Sequence, residues 1–301
     1  IVHKMEVYWE VEAKPGRGWT ESLVKVLGSA KSVAIEPLVE ADMVAALDSF
    51  DWQVLPLVED LRVIKSAAEV ALTRRVAHYW TAIMNTMLEE ARVGISLATL
   101  MAAAGKHTQP TMDKEQHANW LNTRFVHFFQ CAPASGSPHH FSYRAEEQLP
   151  DGPTIINTVG AIGNYNAENE RTILTGNYTA EHAELFDLAQ RGQDLALELI
   201  KPGVRCAEVD CAVQDFFAAE GVAQHMRHRV GHGFGLEPHE RPYTSEGSEE
   251  IYLPNMIISV EPGLYVDGVG GFRHSDTVLI TENGIENMTS GTPTKRSALT
   301  F

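Results

Sequence analysis

The residues able to do chemistry in this 301-residue chain gather in four short stretches. The run Val230-Gly231-His232-Gly233-Phe234-Gly235-Leu236-Glu237-Pro238-His239-Glu240 sets two histidines in a glycine-rich turn. Glycine lets backbone segments approach closely, and two imidazoles in one loop can point into one site. Either histidine alone also fits a hydrogen-bonded structural loop, but their concentration together with the glycines favours a site. The run Met256 to Gly263 is an apolar strand that ends on Glu261 before a Pro-Gly turn, so that this charge faces either solvent or a cleft. In Tyr165 to Leu174, Glu168 and Glu170 are two apart and share one face of a strand, while Arg171 points the other way. Paired carboxylates repel unless a cation, a proton or a charged ligand lies between them. An exposed acidic edge is the alternative, and the flanking apolar residues argue against it. Lastly, Ala134 to Phe141 is a small-residue loop ending in His139-His140. An imidazole there suits general acid–base work near neutral pH, or forms a surface pair.

These side chains need elements to position them. Trp19 to Leu27 reads as a helix, Met5 to Val11 and Ser32 to Pro37 as strands, giving the α/β texture of a small domain. A long helix follows from about Ala67 to Ala91, with Ser66 and Glu69 in the arrangement of a capping box. The predicted division is a partial N-terminal α/β domain over residues 1–60 and a larger domain over 61–301. The chain starts Ile-Val-His-Lys-Met, almost within a strand, and is expected to begin part-way into a domain. The larger domain carries a weak internal repeat. A long helix ends at Gly94 and a second runs to about Ala104; later a long helix from Ala180 ends at Gly203, and a second runs from Ala207 to Ala219. After each pair come a strand-like run and a histidine: Phe125 to Gln130 before His139-His140, and His225 to Val230 before His232. Two such α/β halves facing each other would leave a cleft. Thr154 to Gly160 and Gly270 to Thr281 read as further strands, the latter followed by an Asn-Gly hairpin turn.

Bulk properties narrow the partners. A net charge of −16 speaks against a nucleic-acid backbone. No apolar run reaches the length of a bilayer span. Three cysteines, Cys131, Cys206 and Cys211, are few, odd in number and without ligand spacing, which points to a reducing, cytoplasmic setting.

Several motifs carry a resemblance. Gly-His-Gly-Phe-Gly followed by His239-Glu240, Ser259-Val-Glu-Pro-Gly-Leu-Tyr265, Gly270-Gly-Phe-Arg-His-Ser-Asp-Thr277 before Glu282-Asn-Gly284, and Lys201-Pro-Gly with Cys206 agree in order and spacing with the creatinase / aminopeptidase P / prolidase family. The resemblance spans about residues 60–290. It implies an α+β pita-bread catalytic domain with pseudo-twofold α/β halves, preceded by part of a smaller α/β domain, and a homodimer. Metal-dependent members of that family carry two aspartates, a histidine and two glutamates. Those places fall here on Asn157, Glu168, His232, Glu261 and Ser275. Only two carboxylates remain, leaving about two positive charges uncompensated if two divalent ions bound. The site pattern therefore resembles metal-independent creatinase, with His140 at its catalytic histidine and Glu170 at a substrate-holding glutamate. His274 stands where creatinase has a second such glutamate, which argues against creatine itself.

The expected activity is hydrolysis of a C–N bond (amide or amidine) in a small polar substrate, without metal. His140 moves the proton, Glu170 with Glu168 holds a cationic or donor group, and His232, Glu261, His239 and His274 line the pocket. Arg241 or Arg273 pairs with a substrate carboxylate. Two alternatives stand beside it. One is a metal-dependent Xaa-Pro dipeptidase or aminopeptidase acting on a dipeptide, with a single Mn, Co or Zn ion on Glu168, His232 and Glu261. The other is an inactive binding module of the same fold.

Overall fold

The computed structural model describes residues 19–301 apart from 117, 143 and 145. The strand expected over Met5 to Val11 lies outside the described residues. Contacts divide the chain into two compact units, Ile1–Arg62 and Val63–Phe301.

In the first unit, α1 (Trp19–Leu27), β1 (Ser32–Ile35), α2 (Ala41–Ala46), β2 (Asp51–Val54) and most of α3 (Leu57–Val63) follow one another. β1 and β2 pair in parallel, with Ser32 opposite Asp51. The carboxylate of Glu36, just past β1, accepts from the amides of Val58 and Glu59 at 2.8 and 3.3 Å. Those amides are free at a helix N-terminus, so one side chain ties the α3 start to the sheet.

The second unit opens on α4 (Ala67–Glu90), which starts where its capping box says: Glu69 N donates to Ser66 Oγ and Ser66 N to Glu69. Val70, Thr73, Val76, Ala77, Trp80, Ile83, Met84, Met87 and Leu88 recur at helical spacing and are all buried. Each large apolar side chain on that face contributes roughly 1.5–3 kcal/mol of burial. α5 (Leu97–Gly105), α6 (Thr108–Lys114), β3 (Arg124–Cys131), β4 (Gly152–Ile162) and β5 (Tyr165–Thr175) follow. β3, β4 and β5 form an antiparallel sheet on which α4 packs. Trp80 Nε1 donates to Ala167 O at 2.9 Å, fixing the helix to β5 beside Glu168.

α7 (Ala180–Leu199), α8 (Cys206–Ala219), β6 (Gly231–Gly233), β7 (Glu240–Thr244), β8 (Ile257–Val260), β9 (Gly263–Val266), β10 (Gly270–Arg273), β11 (Asp276–Ile280) and β12 (Ile285–Asn287) complete the unit. Five of these strands make a sheet in the order β12-β11-β8-β6-β7, and β9 and β10 form a hairpin. Gln193 of α7 donates to Val260 O at 3.0 Å and to Asp276 at 2.9 Å, so this helix clamps β8 and β11 together.

The internal repeat is written in the backbone. Gly94 N donates to Leu149 O, Leu149 N to Ile95 O, and Leu97 N to Glu147 O. In the second half Gly203 N donates to Tyr252 O, Tyr252 N to Val204 O, and Cys206 N to Glu250 O. Gly94 and Gly203 have φ of +79° and +89°, left-handed backbone that only glycine adopts without strain. One part of the repeat does not form as expected. Residues 225–230 are no strand: a 3-10 turn at Ala223–His225 leads into irregular backbone before the three-residue β6. The Gly270 to Thr281 run is likewise two strands, broken at His274-Ser275.

That break joins the halves. Glu170 and Ser275 exchange both backbone hydrogen bonds at 3.0 Å, so the strand carrying the two expected carboxylates meets the other sheet at one residue pair.

Candidate metal and hydrolytic site

A cavity of about 280 Å³ opens between the three-stranded and five-stranded sheets. Phe128, Phe141, Val159 and Pro238 give it an apolar wall, with the Phe128 and Phe141 rings edge to face at 4.5 Å. Glu168, Glu170, His232, Glu261 and Arg273 give it a polar floor, and His139, His228, Arg229 and His239 complete the lining.

His232 is held on every side. Its strand lies so close to β8 that a Cβ on Gly231 would stand 2.1 Å from Ser259 O, which is why glycine precedes it. Its own amide donates to Ser259 Oγ at 2.9 Å. Nδ1, at 3.1 Å from Gly233 O, donates to that carbonyl, which turns Nε2 toward the carboxylates. Nε2 lies 3.0 Å from Glu261 and 4.0 Å from Glu168. Burial opposes charging of this imidazole, but the hydrogen bond and charge of Glu261, with Glu168 behind, outweigh it and raise its pKa. Burial likewise opposes the Glu261 carboxylate, yet His232 and Arg273 hold its pKa below the usual range. For Glu168, burial and then the charges of Glu261 and Glu170 push the pKa up to about 8.

One potential ligand atom from each of Glu168, His232 and Glu261 falls within a 4.8 Å span. A divalent ion would draw the proton from Glu168, and the three carboxylates (Glu168, Glu170 and Glu261) less the Arg273 guanidinium would then supply about two negative charges, the charge of one such ion. The donor set and this balance fit one ion. They do not fit two, because the two remaining family positions are neutral and engaged. Asn157 Oδ1 accepts from Arg273 Nη2 at 3.2 Å, and Ser275 Oγ donates to Glu168 at 2.5 Å.

Several positions differ from the sequence reading. His140 is not among the lining residues; its neighbour His139 is. His274 is fully buried away from the cavity against the Phe186 ring, at 4.8 Å, and neither ring nitrogen has a hydrogen-bond partner among the described residues. Burial, with Arg171 nearby, lowers its pKa to about 3, so it is neutral. The strand break turns Arg273 inward and His274 into the core. Arg241 pairs with Glu250 at 3.0 Å outside the cavity lining. Glu170, read as the holder of a substrate cation, holds Arg273 instead: Arg273 Nη2 donates to one of its oxygens at 3.0 Å and Nε to the other. Arg171, on the opposite face of β5, forms a buried ion pair with Asp276 at 2.7 Å.

His228 and Arg229 were hidden in the run read as a strand. Arg273 Nη1 donates to Tyr265 Oη at 2.8 Å, and Tyr265 donates to His228 Nε2 at 2.8 Å. His228 Nδ1, 2.7 Å from Arg229 O, donates to it. The Arg229 guanidinium lies over the Tyr243 ring at 4.9 Å and donates to Gly231 O; among the described residues it forms no ion pair with a carboxylate. A histidine four residues before His232 was the signal available for this pair. His239 packs against His232 with the rings tilted and their centroids 4.3 Å apart, and burial followed by the charge of His232 lowers its pKa to about 4.

Residues 71–282 match metallopeptidase family M24, and that span holds every residue of the cavity. The chain belongs to this family. It is by that membership a hydrolase of C–N bonds. It is 28% identical over 271 residues to the Xaa-Pro dipeptidase of Pyrococcus horikoshii, covering 88% of this chain and 73% of that protein. It is 36% identical over 154 residues to the probable dipeptidase PepE of Mycobacterium tuberculosis, covering 50% of this chain and 40% of that protein. The solved prolidase of Pyrococcus furiosus superposes with a TM-score of 0.77 at 25% identity, over 89% of this chain and 78% of that one. The fold of the M24 chain is thus the α+β pita-bread fold. Its described helices include none long and apolar enough to cross a membrane.

Proposed function

We propose that this M24 member is a metal-dependent dipeptidase of the Xaa-Pro type working with a single divalent ion. The observation that carries it is the convergence of His232 Nε2 with Glu261 and Glu168 inside the family match. These supports favour the metal-dependent alternative over the metal-free, creatinase-like expectation. When bound, the ion supplies a Lewis acid for the scissile carbonyl and a water of lowered pKa. Glu168, His232 and Glu261 hold it.

The chain's other residues do the positioning. The Phe128, Phe141 and Val159 wall suits an apolar residue such as proline, and the cavity volume suits a small peptide. Arg229, with no carboxylate partner among the described residues, takes the substrate's terminal carboxylate. Neutral His239 orients the peptide. His139 lines the cavity and is solvent-exposed, and it delivers a proton to the leaving nitrogen.

Hydrolysis of an Xaa-Pro dipeptide should vanish after chelation and return with Mn²⁺ or Co²⁺. Full turnover by metal-free protein would sink this reading. A cytoplasmic setting and a homodimer are further parts of the proposal; sedimentation of the purified chain as a monomer would remove the second.

A further inference from the structure

Asn157 and Glu170 are partners across β4 and β5, and their side chains converge on one guanidinium. Arg273 Nη2 donates to both, at 3.2 and 3.0 Å, and Nε donates to the second oxygen of Glu170. All three side chains are buried. A buried guanidinium needs an anionic partner, and Asn157 offers only a neutral amide. The other carboxylate within reach is Glu261, whose Oε2 lies 3.8 Å from Arg273 Nε while its Oε1 serves His232 at 3.0 Å.

We propose that Glu170 is a positioning residue that supplies, from the neighbouring strand, the negative charge missing at Asn157. Resting on the single-ion reading, its role is to hold Arg273 off Glu261, which leaves the Glu261 carboxylate to the ion. Without Glu170, the guanidinium turns to Glu261 as its remaining partner and competes with the ion for it. An aspartate at 157 lies on the paired residue of the next strand and bonds the same Nη2, so it can replace Glu170 in this task.

The test is an exchange of charge between the two strands. Mn²⁺ binding to purified chain, freed of metal, is measured by titration calorimetry for the wild type, Glu170→Gln and the double variant Asn157→Asp/Glu170→Gln. Glu170→Gln is expected to weaken binding by about tenfold or more, and the double variant to return to within about threefold of wild type. A folded double variant that binds as weakly as Glu170→Gln, or a Glu170→Gln that binds as tightly as wild type, overturns the proposal. If Glu170→Gln does not fold, the double variant decides alone. Because Asn157→Asp puts a carboxylate at a family metal-ligand place, wild-type-like binding then upholds the exchange only with a wild-type-like melting temperature of the metal-free protein; misfolding, weak binding or a lowered melting temperature ends it. If the wild type itself takes up no Mn²⁺, the single-ion reading falls separately. The exchange is then judged on the melting temperature of the metal-free proteins, where recovery in the double variant upholds it and no recovery overturns it.

Discussion

The imidazole of His232 and the carboxylate of Glu261 meet at 3.0 Å although the first lies on β6 and the second just past the end of β8. Those strands pair antiparallel, with Gly233 opposite Ile258. The sheet therefore brings both proposed ligand atoms to one point, and Glu168 arrives from the other sheet at 4.0 Å. Elemental analysis after loading with Mn²⁺ should find about one ion per chain, given the charge balance of the floor. His232→Ala and Glu261→Gln should each lose it. Two ions per chain, coordinated through Asn157 and Ser275, would refute the one-ion site.

The histidine loop gives a comparison of neighbours. His139 lines the cavity, and His140 does not. His139→Gln is expected to lower kcat by about 10²-fold or more with KM little changed, the scale of a lost general acid. His140→Gln should stay near wild type. The reverse ranking would restore the role to His140.

Arg229 supplies a test of substrate orientation. A charge-assisted hydrogen bond to a carboxylate contributes about 1.5–3 kcal/mol. Arg229→Met should therefore raise KM for a free dipeptide roughly 10- to 100-fold, and leave KM for the C-terminally amidated peptide unaltered. Equal losses on both peptides would mean that Arg229 does not read the terminus.

The neutral core histidine predicts an acid-sensitive fold. Burial holds His274 at a pKa of about 3, against 6.5 for the ordinary side chain. The unfolded chain thus binds a proton that the folded chain refuses. The associated stability is fully present above about pH 6.5 and is lost as the pH falls toward 3, by up to about 1.4 kcal/mol per unit. His127, lowered to about 4 by burial, adds to the loss in the same direction. In urea unfolding, His274→Leu should lose about 2–3 kcal/mol less than wild type between pH 6.5 and 4.5. An unchanged pH slope would count against a neutral His274.

The local code of the sequence determined a good deal. Ser66 and Glu69 fixed the start of α4, because a capping box satisfies amides within one turn. Gly94 and Gly203 marked equivalent turns four residues beyond the true helix ends at Glu90 and Leu199, since left-handed backbone selects glycine one residue at a time. The family motifs named His232, Glu261, Glu168 and Glu170, all of which reach the cavity. What the tertiary structure alone decided was which of two adjacent residues faces it: Arg273 rather than His274, His139 rather than His140. His139 and His140 lie in a turn, where no regular period assigns a face, and Arg273 ends β10, where side chains alternate and a break or a shift of one residue reverses their faces. For Arg273 and His274 that register is set by pairing between distant strands, the meeting of Glu170 with Ser275, which no local pattern contains.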